Sequence, residues 1–84
     1  MHFRFSRHAK EKLLLVKKYG FTITQKMVKQ AVIHPIRVDT RQDGTLVANT
    51  VLSEKLVLRV AHRYEGDIIV IITIYPGRRK AYGL

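Results

Sequence analysis

One run of seven residues, 68–74, consists of aliphatic side chains and a single threonine, and it constrains the fold more than any other segment. Because the run is apolar at both alternating positions, it predicts a central β-strand that is covered on both faces. It is far shorter than the roughly 18 apolar residues of a membrane-spanning helix, so we expect no membrane span. Residues 75–80 follow directly with a tyrosine and three cations, which a rigid strand would hold at one edge of the fold.

Two amphipathic helices are predicted ahead of the strands. Apolar residues recur at spacings of three and four between Ser6, a favourable N-cap, and Gly20, a favourable helix-ending glycine, which predicts a helix over residues 7–19. Thr24 is predicted to cap a second helix that ends before Pro35. The period then changes to that of strands, and turn residues separate four of them, at residues 36–40, 46–52, 56–64 and 68–75.

The predicted elements fit one small domain. A chain of 84 residues has room for a single core, so residues 1–84 are expected to form one domain. Short connections favour neighbouring strands that run antiparallel in sequence order. We predict an α+β fold in which two N-terminal helices pack on one face of a curved, four-stranded, mainly antiparallel sheet. A short extra strand at the N-terminus is left open.

The charge of the chain points to an anionic partner. The formal net charge is +10, and the cations are concentrated in the N-terminal third and the tail. Such a surface attracts RNA or DNA, although a basic protein can also be merely soluble or bind an acidic protein. The predicted nucleic-acid contacts are Arg7, Lys10, Lys17, Lys18, Arg78 and Lys80.

The cysteine and histidine content limits the other classes of site. There is no cysteine, which excludes disulfides and thiolate metal sites and is typical of a reducing compartment such as the cytoplasm. The spacing of the four histidines matches no metal-binding motif, and neither a metal nor another cofactor is expected. His62 falls among aliphatic neighbours and is expected in the core. Tyr82 is a tail residue that we expect to pack or to be disordered, with stacking on a base as the alternative.

Arg59 is the most informative charged residue of the strands. It lies in the middle of the third predicted strand between apolar neighbours, where an unpaired guanidinium would be costly. A phosphate would satisfy it, and so would a salt bridge to Glu54, Asp39 or another acid. If the hairpin through Gly66 is regular, strand alternation is expected to place Tyr75 on the same side as Arg59.

Five short segments carry a family resemblance, at residues 6–9, 20–24, 33–35, 58–60 and 73–80. They resemble a family of small bacterial and archaeal domains of unknown function that is related to the RelE/ParE-like toxins. The resemblance spans nearly the whole chain. It implies a helical hairpin on a curved antiparallel sheet and an antitoxin protein as partner. RelE-type members cleave messenger RNA on the ribosome, whereas ParE-type members act on gyrase and are not nucleases, so the fold alone does not choose between them.

RNA cleavage by attack of a 2′-hydroxyl on the neighbouring phosphate needs a base, cations and an acid, but no metal. Arg59 and Arg79 suit contact with the phosphate, and Tyr75 can orient groups or donate a proton. His8 is the predicted base, with Lys80 as its substitute. A helix-borne histidine departs from the RelE pattern of Lys, Arg and Tyr on the sheet and tail. We therefore predict a metal-independent endoribonuclease toxin, and the alternative is a non-catalytic basic module that binds nucleic acid or a protein.

Overall fold

The structure, a computed structural model that describes residues 2–84, has a single five-stranded sheet with two helices on one of its faces. In chain order, the elements are β1 (His2–Phe5), α1 (Arg7–Lys18), α2 (Gln25–Ile33), β2 (Arg37–Thr40), β3 (Leu46–Val51), β4 (Leu56–Glu65), β5 (Ile68–Arg78) and a 3-10 segment (Arg79–Tyr82), here called the C-terminal turn. Within residues 2–84, neither helix has the length and apolar character needed to cross a membrane.

The prediction that two helices come first in the chain and pack on a four-stranded, mainly antiparallel sheet is wrong. The sheet is mixed, its strand order is β1-β5-β4-β3-β2, and the first strand precedes both helices. β1 pairs parallel with β5, while the other pairs are antiparallel. The alternation of His2–Phe5 is too short to identify a strand reliably, and its partner β5 lies at the opposite end of the chain. Because parallel pairing of distant segments leaves no local signal, the sequence pattern did not place this strand.

The helices begin at the predicted caps and enclose the main core. Ser6 Oγ accepts a hydrogen bond from the Ala9 amide at 3.0 Å, and Thr24 Oγ1 accepts one from the Met27 amide at 3.2 Å. Gly20 follows α1 with a φ of +92°, a conformation that favours glycine. The buried apolar cluster between helices and sheet comprises Ala9, Val16, Ile23, Val28, Ala31, Val32, Ala48, Leu58, Val60, Ile69, Ile71 and Ile74.

A β-bulge in β5 decides which side chains share a face. His62 of β4 pairs with Ile71, but the preceding residue Ala61 pairs with Thr73, so Ile72 is an extra residue without a partner. In a regular hairpin Ile74 would have stood opposite Arg59, and the bulge brings Tyr75 there instead. Tyr75 does lie on the side of Arg59, but the expectation that a regular hairpin would place it there is wrong, because the placement depends on the bulge.

Ser6 ties the start of α1 to this bulge. Its hydroxyl donates to the Ile72 carbonyl at 2.7 Å, and its amide donates to the Ile71 carbonyl at 2.9 Å. The same hydroxyl oxygen accepts the helix-capping bond from Ala9. One serine therefore satisfies both the helix end and the unpaired backbone of the bulge.

Ser6→Ala is expected to lower the free energy of unfolding by about 2 kcal/mol, because it removes a helix cap and a second hydrogen bond together. Thr24→Ala is the matched control, since it removes only a cap and should cost about 1 kcal/mol. Urea unfolding of both variants measures the difference. Equal losses would contradict a role for Ser6 at the bulge.

Candidate functional site

The side of the sheet that faces away from the helices, here called the helix-free face, carries a row of polar side chains across its strands. Leu58 and Val60 belong to the core beneath the helices, so Arg59 between them points to the helix-free face. Asn49 of β3 pairs with Arg59 on one side and Tyr75 of β5 pairs with it on the other. β2 adds Arg37 and Asp39, opposite Asn49 and Val47.

The guanidinium of Arg59 is held from three directions. Its Nε donates to the Tyr75 hydroxyl at 2.9 Å, and its Nη1 donates to Asn49 Oδ1 at 2.8 Å and to Asp39 Oδ2 at 3.1 Å. The sequence left a phosphate or an acid as the partner of this buried cation. The structure contains an acid there, Asp39. Within residues 2–84, only the Nε and Nη1 atoms of Arg59 donate hydrogen bonds. The third nitrogen, Nη2, donates none to these residues and is not fully buried. Nη2 is thus the donor that remains available to a ligand.

Asp39 is an acceptor shared by three neighbours. Arg37 Nε lies 2.9 Å from Asp39 Oδ1 as an ion pair, without the alignment of a hydrogen bond, and Arg37 Nη2 donates to Oδ2 at 3.2 Å. The Asn49 side-chain amide donates to the same oxygen at 3.1 Å. The hydrogen bond from Arg37, joined by those from Asn49 and Arg59, holds the pKa of Asp39 below its ordinary value despite the opposing effect of burial. Asp39 is therefore a weak base and a stable anchor for the two arginines.

Tyr75 receives two cationic hydrogen bonds on one oxygen. Besides Arg59 Nε, the Nη2 group of Arg41 donates to the Tyr75 hydroxyl at 3.0 Å. Burial alone would raise the pKa of Tyr75, but the hydrogen bonds from Arg59 and Arg41 outweigh it and leave the pKa below the ordinary value of 10.0. The result is a phenol of increased acidity on the helix-free face.

Sequence reasoning missed Arg41. It follows β2 just before the turn that contains Gly44, and it lies 34 residues from Tyr75 in the chain. Only the antiparallel pairing of β2, β3, β4 and β5 within the sheet brings the two side chains together. An exposed arginine beside a turn carries no local sign of such a contact.

Tyr82 of the C-terminal turn covers the cluster. The Arg59 Cζ atom lies 3.8 Å from the centroid of the Tyr82 ring, a stacked cation–π arrangement. A β-carbon at Gly77 would lie 2.6 Å from Cε2 of the same ring, so the ring occupies space that only glycine leaves open. The sequence did not assign Tyr82 to the site. A glycine inside a strand is a signal of such close approach, and Gly77 offered it.

Arg79 and His8 do not join this cluster. Arg79 Nε donates to the Leu84 carbonyl at 3.2 Å and its Nη1 to the Glu54 carbonyl at 3.3 Å, so its side chain fastens the C-terminal turn to the β3–β4 connection. His8 is exposed on α1, which packs on the opposite side of the sheet from Arg59. The structure therefore brings only Tyr75 and Arg59 together out of the four predicted catalytic residues.

The remaining predicted contacts fall on two surfaces. On α1, Lys10, Lys17 and Lys18 are exposed, while Arg7 forms an exposed ion pair with Glu11 at 3.3 Å. His62 is buried as expected, with Nδ1 3.0 Å from the Val60 carbonyl oxygen. The second surface is an open cleft of about 1020 Å³ at the end of the sheet, lined by Ser53, Glu54, Lys55, Leu56, Arg78, Arg79, Lys80 and Leu84. Lys55 adds a cation there that the sequence did not single out.

Among residues 2–84, no group of three or more histidine, aspartate or glutamate side chains is placed to hold a metal ion. No family model, curated protein or solved structure matches this chain.

Proposed function

We propose that the protein is a metal-independent endoribonuclease of the toxin type, which cleaves RNA through attack of a 2′-hydroxyl on the adjacent phosphate. The observation that supports this proposal best is the pair of arginine hydrogen bonds to the Tyr75 hydroxyl, at 2.9 and 3.0 Å. Two guanidinium groups around one phenol supply positive charge and a transferable proton at the same place. The non-bridging oxygens of the phosphate gain negative charge as the 2′-oxygen attacks, and the 5′-oxygen needs a proton as it leaves.

In this mechanism Tyr75 is the proton donor. Its oxygen already accepts two hydrogen bonds, so its own hydrogen is free to pass to the departing 5′-oxygen. The 2′-oxygen forms its bond to phosphorus, its proton goes to water, and the bond from phosphorus to the 5′-oxygen breaks. The products are a 2′,3′-cyclic phosphate and a 5′-hydroxyl. Arg59 Nη2 and the Arg41 guanidinium bind the non-bridging oxygens, and water then reprotonates Tyr75.

Other cations would hold the rest of the strand. Lys55, Arg78 and Lys80 line the open cleft near the carboxyl end of β5. Such contacts position a phosphate backbone without reading its sequence. We expect the cytoplasm as the compartment and an acidic antitoxin protein as the partner that complements the net charge of +10.

A second function is favoured by one specific contact. The ion pair between Arg59 Nη1 and Asp39 Oδ2, at 3.1 Å, already neutralises the guanidinium that the mechanism directs at a phosphate. A protein that only binds RNA or a protein target through its basic surface needs no free charge at this position. The second candidate is therefore a non-catalytic basic module.

The two candidates are separated by looking for the products. The protein is incubated with EDTA and either free RNA or messenger RNA on ribosomes, and the ends are identified by mass spectrometry. The nuclease predicts 2′,3′-cyclic phosphate ends, and none from RNA that is 2′-O-methylated throughout, because that strand has no attacking hydroxyl. Binding without product on both substrates would instead establish the non-catalytic module.

A further inference from the structure

We propose that the slot between Gly77 and the flat face of Arg59, which the ring of Tyr82 fills, is a nucleobase-binding subsite for single-stranded RNA. The proposal rests on the proposed function, because it places the base next to the reacting phosphate. The tyrosine then occupies the position of a base in the ligand-free protein, and RNA displaces it.

The dimensions of the slot match a flat aromatic ring. Tyr82 stacks with its centroid 3.8 Å from Arg59 Cζ, and the missing side chain of Gly77 makes room for the ring edge. The Nε and Nη1 donors of Arg59 are engaged by Tyr75, Asn49 and Asp39, so the guanidinium plane is fixed before any ligand arrives. A fixed guanidinium plane is a stacking platform that accepts any base, since every base has a π-face.

The position of the slot suits a nucleotide whose phosphate is at Tyr75. Gly77 is two residues beyond Tyr75 on the same face of β5, a separation of about 7 Å along a strand. That separation is comparable to the distance between a base and its own backbone. A base in the slot therefore leaves its phosphate within reach of Tyr75 and Arg41.

The ring that fills the slot is attached to a short element. The C-terminal turn has four residues, and its backbone is fastened through Arg79, whose amide donates to the Lys55 carbonyl at 2.9 Å. Tyr82 lies inside this turn, whose far end is also tied because the Leu84 amide donates to the Arg79 carbonyl at 2.9 Å. Its side chain is held by ring packing against Arg59 and Gly77. The ring can leave the slot by rotation of its side chain while the backbone stays tied, and an incoming base replaces the stacking on Arg59 that the ring gives up.

The test uses two fluorescent probes that this nuclease cannot cut, a 2′-O-methyl RNA and a 2′-O-methyl strand of the same length without bases. Tyr82→Ala is expected to bind the base-containing strand at least about fivefold more tightly than the parent protein, because the base no longer competes with the ring. Binding of the strand without bases should not change. Tyr64→Ala, which removes an exposed tyrosine of β4 away from the slot, is the control and should alter neither affinity.

Two outcomes would overturn the proposal. Weaker binding by Tyr82→Ala would mean that the ring supports the ligand rather than competing with it. An equal gain for both strands would mean that the variant exposes charge and not a base slot. Because neither probe is cleaved, these outcomes are independent of whether the protein is a nuclease.

A second variant and a measurement on the parent protein guard against misfolding. Gly77 does not have a positive φ, so Gly77→Ala keeps an ordinary backbone while its β-carbon narrows the slot, and the base-dependent part of the affinity should disappear. In the parent protein, the NMR signal of the Arg59 Nε–H group should shift with the base-containing strand and not with the strand without bases. Identical shifts with both strands would contradict a base in the slot.

Discussion

Tyr75→Phe is expected to reduce the rate of RNA cleavage about 10²- to 10⁴-fold, the range that loss of a positioned proton donor produces. The ring stays in place, and Arg59 keeps its hydrogen bonds to Asn49 and Asp39, so the fold should be preserved. Single-turnover cleavage measures the effect, and thermal unfolding verifies the fold. Tyr64→Phe is the control and should cleave at the parent rate. Undiminished cleavage by Tyr75→Phe would remove Tyr75 from the mechanism.

The pH profile of the parent enzyme tests the same assignment. A proton donor works only while protonated, and the pKa of Tyr75 lies below 10.0, so cleavage should decline on an alkaline limb that begins below pH 10. Arg41→Ala removes one of the two cations that lower this pKa, and the limb should move to higher pH. A rate that rises over this range would identify the phenolate as a base and contradict the donor role.

Arg59→Ala is expected to lower the free energy of unfolding by about 3 kcal/mol, near the lower end of the range for a buried pair that loses one partner. The Arg59 side chain is only 8% exposed, and its loss leaves Asn49 Oδ1 and one bond of Asp39 unsatisfied. The cost is limited because Asp39 is about one-third exposed and keeps Arg37. Urea unfolding measures the change.

Arg63→Ala supplies the control for Arg59→Ala. Arg63 lies on the same strand, but its ion pair with Glu65 joins side chains that are 52% and 42% exposed, and its removal should cost no more than about 1 kcal/mol. Similar losses in the two variants would contradict a buried network around Arg59. The loss of stability also matters for activity assays. An inactive Arg59→Ala variant is evidence for a catalytic role only at a temperature where the variant remains folded.

Local chemistry allowed part of this fold to be predicted. Ser6 and Thr24 cap their helices because hydroxyl caps act within one turn, and the apolar run of β5 identifies a strand without reference to the rest of the chain. β1 was not assigned, because four alternating residues are a weak signal and its parallel partner is distant. The bulge at Ile72 has no residue type of its own and was not predicted.

The candidate site was likewise predicted only in part. Arg59 was identified because a cation between apolar strand neighbours requires a partner, and Asp39 was among the acids considered. Tyr82 and Arg41 reach the cluster from a tail and a loop, whose paths depend on the complete sheet. The contacts of Arg79 with the Leu84 and Glu54 carbonyls were not predicted, because a basic tail residue looks the same in sequence whether it contacts a ligand or a backbone carbonyl.

The unpaired residue in β5 means that the segment between Gly66 and Tyr75 contains one residue more than a regular hairpin would need to place the phenol opposite Arg59. Removing Ile72 would restore an even ladder and leave Tyr75 opposite Arg59, because the residues on both sides of the bulge would keep their partners on β4. An aliphatic replacement at position 72 would leave the count, and hence the side of the sheet, unchanged. Among related chains, a functioning arginine–tyrosine pair should therefore tolerate varied side chains at position 72 and the loss of that one residue, whereas an added residue in this segment would turn the phenol toward the helices.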